Sequence, residues 1–174
     1  PWLLLPSSLQ LRPTMEVFII RHASAEAGAD DAVRPLSEEG RRRFRETVAG
    51  LVSLEMKFDQ LLHSPKLRAV ETARLLLPLV TGTTASTPLL EIAPSVALLE
   101  LLSGPVIAVV GHEPHLSALL AWLVTGDVAL GNAFELKKGA VARLEGTPTP
   151  GGMRLRVLLP PSVSPHCRLA NYCS

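Results

Sequence analysis

Hydrophobic and polar positions divide the chain into short blocks. Val17-Phe18-Ile19-Ile20 has no polar interruption. It is rich in β-branched and aromatic side chains and reads as a strand over about residues 16–20, buried on both faces. Residues 106–110 form a second run of this kind, and residues 58–63 a weaker third. Between these runs, apolar residues recur at helical spacing. Phe44, Val48, Leu51 and Val52 make one stripe, behind Ser37 as cap and Glu38 and Glu39 in the first turn. Ala69, Ala73, Leu76 and Leu77 make another, with Ser64 as cap and Pro65 at the first helical position; Pro78 and Gly82 end or bend it. Pro114 starts a third, with Leu116, Leu119, Leu120 and Leu123 inward and a stop near Gly126. Residues 81–88 read as a threonine-rich loop, and residues 95–102 as a short helical segment. From residue 140 the period changes to two. Residues 140–144 and 153–159 flank a turn of glycine, proline and threonine, and Arg154 and Arg156 alternate with Met153, Leu155 and Val157. That predicts a hairpin with its arginines in solvent. The blocks together predict an α/β domain of three layers: a mostly parallel sheet flanked by helices, with a C-terminal antiparallel edge hairpin.

Composition narrows the classes. The 174 residues are 47% hydrophobic and 19% charged, a globular balance. The formal net charge of +1 implies no broad attraction to nucleic acid or membrane, and no apolar run approaches the roughly 18 residues needed to span a bilayer. Cys167 and Cys173 are the two cysteines, so a disulfide would staple only a tail, and no metal spacing with histidines is evident. A cytoplasmic protein is the expectation from that usage. Residues 1–14 read as an N-terminal extension without the marks of a signal peptide, residues 15–159 as the folded domain, and residues 160–174 as a C-terminal tail. The arginines at 41, 42, 43 and 45 suit a solvated helix face, or a face that meets an acidic partner.

Candidate chemistry lies where the strands stop. Arg21 and His22 follow the first run, His63, Ser64 and then Arg68 follow the second block, and Gly111-His112 follows the run at 106–110. Parallel strands of an open sheet end on one side, where such sheets bind ligands. Arg21, His22, Arg68 and His112 are therefore expected around one crevice, and two arginines with two histidines suit a phosphoryl group. His22 is the best nucleophile, Arg21 and Arg68 hold the phosphate, and His112 donates to a phosphoryl oxygen. Plainer readings exist: strand ends turning into solvent, and a buried structural histidine at 112. His115 reads as an exposed residue of a helix's first turn, Ser64 as a cap, His63 as a residue bordering the pocket, and His166 as part of the tail.

Three blocks in this order resemble the signatures of the histidine phosphatase (phosphoglycerate mutase-like) superfamily: Arg21-His22-Ala23, then Ser64-Pro65-Lys66-Leu67-Arg68-Ala69 with Glu71-Thr72-Ala73, then Gly111-His112. The likeness extends over residues 15–159 and includes Arg34-Pro35-Leu36-Ser37-Glu38-Glu39-Gly40. Within the superfamily the chain is similar to the small SixA-type phosphohistidine phosphatases. The resemblance implies that His22 becomes the phosphohistidine intermediate and that Arg21, Arg68 and His112 form the phosphate pocket. It implies no metal or organic cofactor, and a partner that is a phosphohistidine-containing phosphotransfer protein or a small phosphate ester.

The chain also departs from that pattern. Ala23 stands where glycine is usual, which would be strained if the backbone there needs φ > 0. His63 replaces a small residue, often serine. Few residues separate the second and third motifs, too few for a lid, so the site should be open to a protein surface. Glu91 is the leading candidate for a general acid, being between the second and third motifs; Glu26 and Glu113 are the others. An imidazole leaving group needs less help from an acid than an alkoxide does. The expected function is therefore a phosphatase acting on phosphohistidine in a protein. The alternatives are a phosphomonoesterase or mutase for small metabolites, and a phosphate-binding module without catalysis.

Overall fold

A computed structural model describes residues 14–28 and 30–161. The expectations for Cys167, Cys173, His166 and nearly all of both terminal segments lie outside those residues. Six strands form one sheet in the order β3-β2-β4-β1-β5-β6. In chain order the elements are β1 (Met15–Arg21), α1 (Glu38–Ser53), β2 (Phe58–His63), α2 (Leu67–Leu76), β3 (Val80–Ser86), α3 (Val96–Glu100), β4 (Val106–Gly111), α4 (His115–Thr125), β5 (Val141–Gly146) and β6 (Met153–Leu159). Strands β1 to β4 are mutually parallel, while β5 runs antiparallel to β1 and β6 to β5. This is the mostly parallel α/β sheet with a C-terminal edge hairpin that the pattern predicts.

Uninterrupted apolar strands are explained by burial on both faces. Val17, Ile19, Ile107 and Val109 point into a core with Leu98 and Leu99 of α3 and Leu116, Leu119, Leu120 and Leu123 of α4. Their alternates, Phe18, Ile20, Ala108 and Val110, point into a second core with Phe44, Val48 and Leu51 of α1 and Ala69, Ala73 and Leu76 of α2. Alternate side chains of one strand thus feed two helical layers. Phe18 and Phe58 meet edge-on at 5.1 Å in the second core.

Register brings the strand ends together. Arg21 lies opposite Gly111, and His63 opposite Val110. The His22 N–H donates to the Gly111 carbonyl, 3.1 Å, and the Ser64 N–H to the Val110 carbonyl, 2.9 Å. Because β5 runs against β1, its beginning adjoins the end of β1. The Gly139 N–H is shared between the Arg21 and His22 carbonyls, 3.1 Å each.

Four expectations need correction. Residues 81–88 are not a loop: most of them form β3, at the sheet edge. Every residue from Thr81 to Ser86 is exposed, so the strand has no hydrophobic alternation to betray it; only its β-branched content points to a strand. Helix α2 starts at Leu67 with Lys66 as N-cap; the buried Ser64 hydroxyl accepts the Lys66 N–H just ahead of the helix and contacts His112 Nε2. Val52 and Leu77 are exposed, at 49% and 47%, and lie off their apolar stripes. Ala23 carries no backbone strain: Glu55 is the non-glycine residue with positive φ among those described, so alanine suffices after His22.

Candidate active site

The crevice at the carboxyl ends of β1, β2 and β4 encloses about 320 Å³ and is lined by Arg21, His22, Arg68 and His112 together. Arg21 ends β1, and its Nη1 donates to the Leu136 carbonyl at 2.6 Å. His22 follows, with its backbone held by β4. Its Nδ1 lies 2.7 Å from the Ala23 carbonyl, which can only accept, so Nδ1 carries the proton. Its Nε2 accepts from Arg68 Nε at 3.2 Å. The two contacts define a neutral imidazole whose lone pair faces the crevice.

The second sequence block braces this arrangement. Arg68 is in the first turn of α2 and nearly fully buried. One turn later Thr72 donates to the Arg68 carbonyl at 2.7 Å and accepts the Ala23 N–H at 3.1 Å, joining the helix to the loop behind His22. Glu71 accepts the Leu36 N–H and one Arg41 nitrogen, at 2.6 and 2.7 Å. It thereby fastens the Arg34-Pro35-Leu36 segment and α1 to α2.

His112 follows β4, and its ring centroid is 5.0 Å from that of His22. Its Nε2 is 2.6 Å from the hydroxyl of Ser64, a fully buried residue. The Ser64 hydroxyl also accepts the Lys66 N–H and donates to Glu91 Oε1 at 3.4 Å. The Ser64 hydroxyl has one proton, so the direction of the short contact with His112 Nε2 is set by the tautomer of the ring. His112 Nδ1 is buried and has no partner among the described residues.

Both rings resist protonation. Burial lowers the His22 pKa to about 4, with Arg68, Arg21 and Lys138 adding to the effect against the pull of the Ala23 carbonyl. Burial, followed by His22, Arg68 and Lys66, lowers His112 to about 3. Asp31 stands at the mouth. Hydrogen bonds from Lys66, Arg34 and Arg68 hold its carboxyl well below the usual carboxylate range. It accepts from Lys66 Nζ at 2.6 Å and Arg68 Nη2 at 3.1 Å, and pairs with Arg34. A carboxylate thus occupies the cations that an incoming phosphoryl group would use.

Of the candidate acids, Glu91 and Glu113 line the crevice. Glu113 oxygens accept the Leu136 and Ser117 N–H groups, so that carboxylate is committed to the backbone. Glu91 touches the Ser64 hydroxyl. Glu26 is exposed and does not line the crevice. His115 differs from expectation: it is half-buried and lines the crevice. His63 does not line it, and its Nδ1 bonds the Ser64 carbonyl. Sequence reasoning missed Asp31, Lys66 and Lys138 as crevice residues. For Lys138 a signal was present: a basic pair just ahead of a strand that returns against β1 must end up beside the end of β1. Among the described residues, no three His, Cys, Asp or Glu side chains are grouped as a metal ion requires.

Two neutral histidines and two arginines thus share one crevice at the carboxyl ends of the parallel strands, a setting suited to a phosphoryl group. A sequence model of the histidine phosphatase superfamily (branch 1) matches residues 17–93, the part of the chain that carries Arg21, His22 and Arg68. No curated protein sequence matches it. Solved structures share the fold. The protein histidine phosphatase SixA, complexed with tungstate, is 25% identical, with 84% of this chain and 97% of that one covered at a TM-score of 0.67. Phosphoserine phosphatase from Entamoeba histolytica in complex with 3-phosphoglyceric acid is 15% identical, covering 83% and 96% at 0.64. A mycobacterial glucosyl-3-phosphoglycerate phosphatase is 17% identical, covering 83% and 98% at 0.63.

Proposed function

We propose that this phosphatase removes the phosphoryl group from phosphohistidine in a protein, through a covalent intermediate on His22. One observation carries the reading: a neutral His22, its Nε2 lone pair held by Arg68, lines a crevice with Arg21, Lys66 and Lys138. In the first step His22 Nε2 bonds to phosphorus and the bond to the substrate imidazole nitrogen breaks, that nitrogen taking a proton from water. His112 and the arginines stabilise the equatorial oxygens. Water then attacks phosphorus, the Nε2–P bond breaks, and inorganic phosphate leaves with His22 restored.

The crevice is small, so the bulk of a substrate stays outside it. Exposed Val33 and Ile92 adjoin the lining residues Arg34 and Glu91 in the chain, giving the rim apolar contacts that a protein surface would cover. The second reading, hydrolysis of a small ester, is favoured by Glu91, which lines the crevice and can protonate an alkoxide.

The test is phosphate release from a histidine-phosphorylated phosphotransfer protein beside a panel of esters. Release is expected from the phosphoprotein, with His22→Ala slower by at least about a thousandfold and an alkali-stable, acid-labile label trapped on the unaltered enzyme. Preference for one ester, lost in Glu91→Gln, would establish the second reading instead.

A further inference from the structure

We propose a second anion subsite in the groove between the start of α1 and the turn that enters β5. It takes a carboxylate or phosphate that the substrate carries beside the phosphoryl group being removed. The inference rests on the phosphatase reading above and extends it to a substrate class.

Two further grooves meet the catalytic crevice at Arg21. One, of about 300 Å³, is lined by Arg21, Arg43, Phe44, Lys137, Lys138 and Gly139, with Glu135 as its one carboxylate. The other, of about 460 Å³, sets Glu113 and Glu135 against Arg21 alone and would repel an anion. The cationic groove is continuous with the chemistry, since Arg21 and Lys138 line both it and the crevice. Its cations are available. Arg43 is shared with Glu39, but Lys137 and Lys138 are exposed and have no ion-pair partner among the described residues. Arg21 Nε is buried with no partner there either.

The geometry comes from the backbone. Arg21 N–H donates to the Ala140 carbonyl, and Gly139 N–H to the Arg21 and His22 carbonyls. The backbone next to the lysines is therefore fixed beside the nucleophile by main-chain bonds. A substrate with a second anion next to its phosphoryl group would span Arg21, one group on each side.

The experiment compares phenyl phosphate, which has no second anion, with phosphoglycolate, which adds a carboxylate. It also compares two phosphohistidine peptides, one with glutamate and one with glutamine flanking the modified residue. Lys137 lines the groove but not the crevice, so Lys137→Glu is the variant of choice. The expected result is a KM about tenfold higher for at least one second-anion substrate, shrinking in high salt. Turnover of phenyl phosphate should stay within about twofold. An effect confined to the acidic peptide identifies a protein side chain as the anion; one confined to phosphoglycolate identifies a small ester. Equal effects on charged and uncharged partners, or none, would overturn the subsite. If no substrate shows turnover that depends on His22, the phosphatase reading fails by itself. The subsite is then judged by binding: phosphoglycolate should hold tighter than inorganic phosphate, and Lys137→Glu should erase the difference.

Discussion

His22 has two contacts that agree on one protonation state. The Ala23 carbonyl requires a proton on Nδ1, and the Arg68 guanidinium requires none on Nε2. Burial works in the same direction and sets the ring's pKa near 4. An NMR titration of the His22 ring should show the Nδ1–H tautomer through neutral pH, with a midpoint near 4 in place of the ordinary 6.5. Stability follows from the same shift. Between pH 6.5 and about 4 the unfolded chain binds protons at residues 22 and 112 that the folded chain refuses, so stability should fall as pH drops through that window. Above pH 6.5 these two rings should make no difference, as urea unfolding at a series of pH values will check.

At this scale the site was largely legible. Arg21, His22 and His112 each follow an apolar run directly, and Arg68 follows a strand at one helical turn, so topology alone brings them together. Asp31 was not legible as a site residue. It comes from the polar stretch between β1 and α1, whose return path depends on the Leu67 N–H bonding the Ala32 carbonyl and on Lys66 and Arg68 drawing in the carboxylate. No periodicity encodes such contacts.

At the scale of elements, close approach of backbones shapes the site. The first turn of α1 rests on the loop behind His22. The Ser37 N–H bonds the Ser24 carbonyl, and a Cβ placed on Gly40 would lie 2.1 Å from that oxygen. Gly40→Ala must push helix and loop apart. It should cost about 1–3 kcal/mol in denaturant unfolding and weaken phosphate binding through the displaced loop. The element missed from the sequence, β3, fails for the opposite reason. It makes few side-chain demands because it is an exposed edge, and its pairing with β2 is carried by main-chain bonds that any residue supplies.

At the scale of the molecule, several like charges converge on one crevice: Arg21, Arg34, Lys66, Arg68 and Lys138 against Asp31, Glu91 and Glu113. That concentration is invisible in a net charge of +1. An anion that binds the folded state alone stabilises it by mass action. Inorganic phosphate at about a hundredfold over its Kd should raise Tm by about 5–10 °C, and Arg68→Ala should remove most of that rise in a thermal scan. Persistence of the full rise in the variant would place phosphate elsewhere.

The hydrogen bond from His22 to the carbonyl of its own neighbour has a further consequence. Imidazole has two nitrogens, and phosphorylation gives two positional isomers with different lability. Here one nitrogen is capped by main chain on a strand end that β4 and Gly139 both hold. The ring cannot rotate to exchange the two without breaking that bond inside a packed crevice. On the proposed mechanism only the Nε2-linked isomer forms, so a reagent raised against the Nδ1-linked form should pass over it.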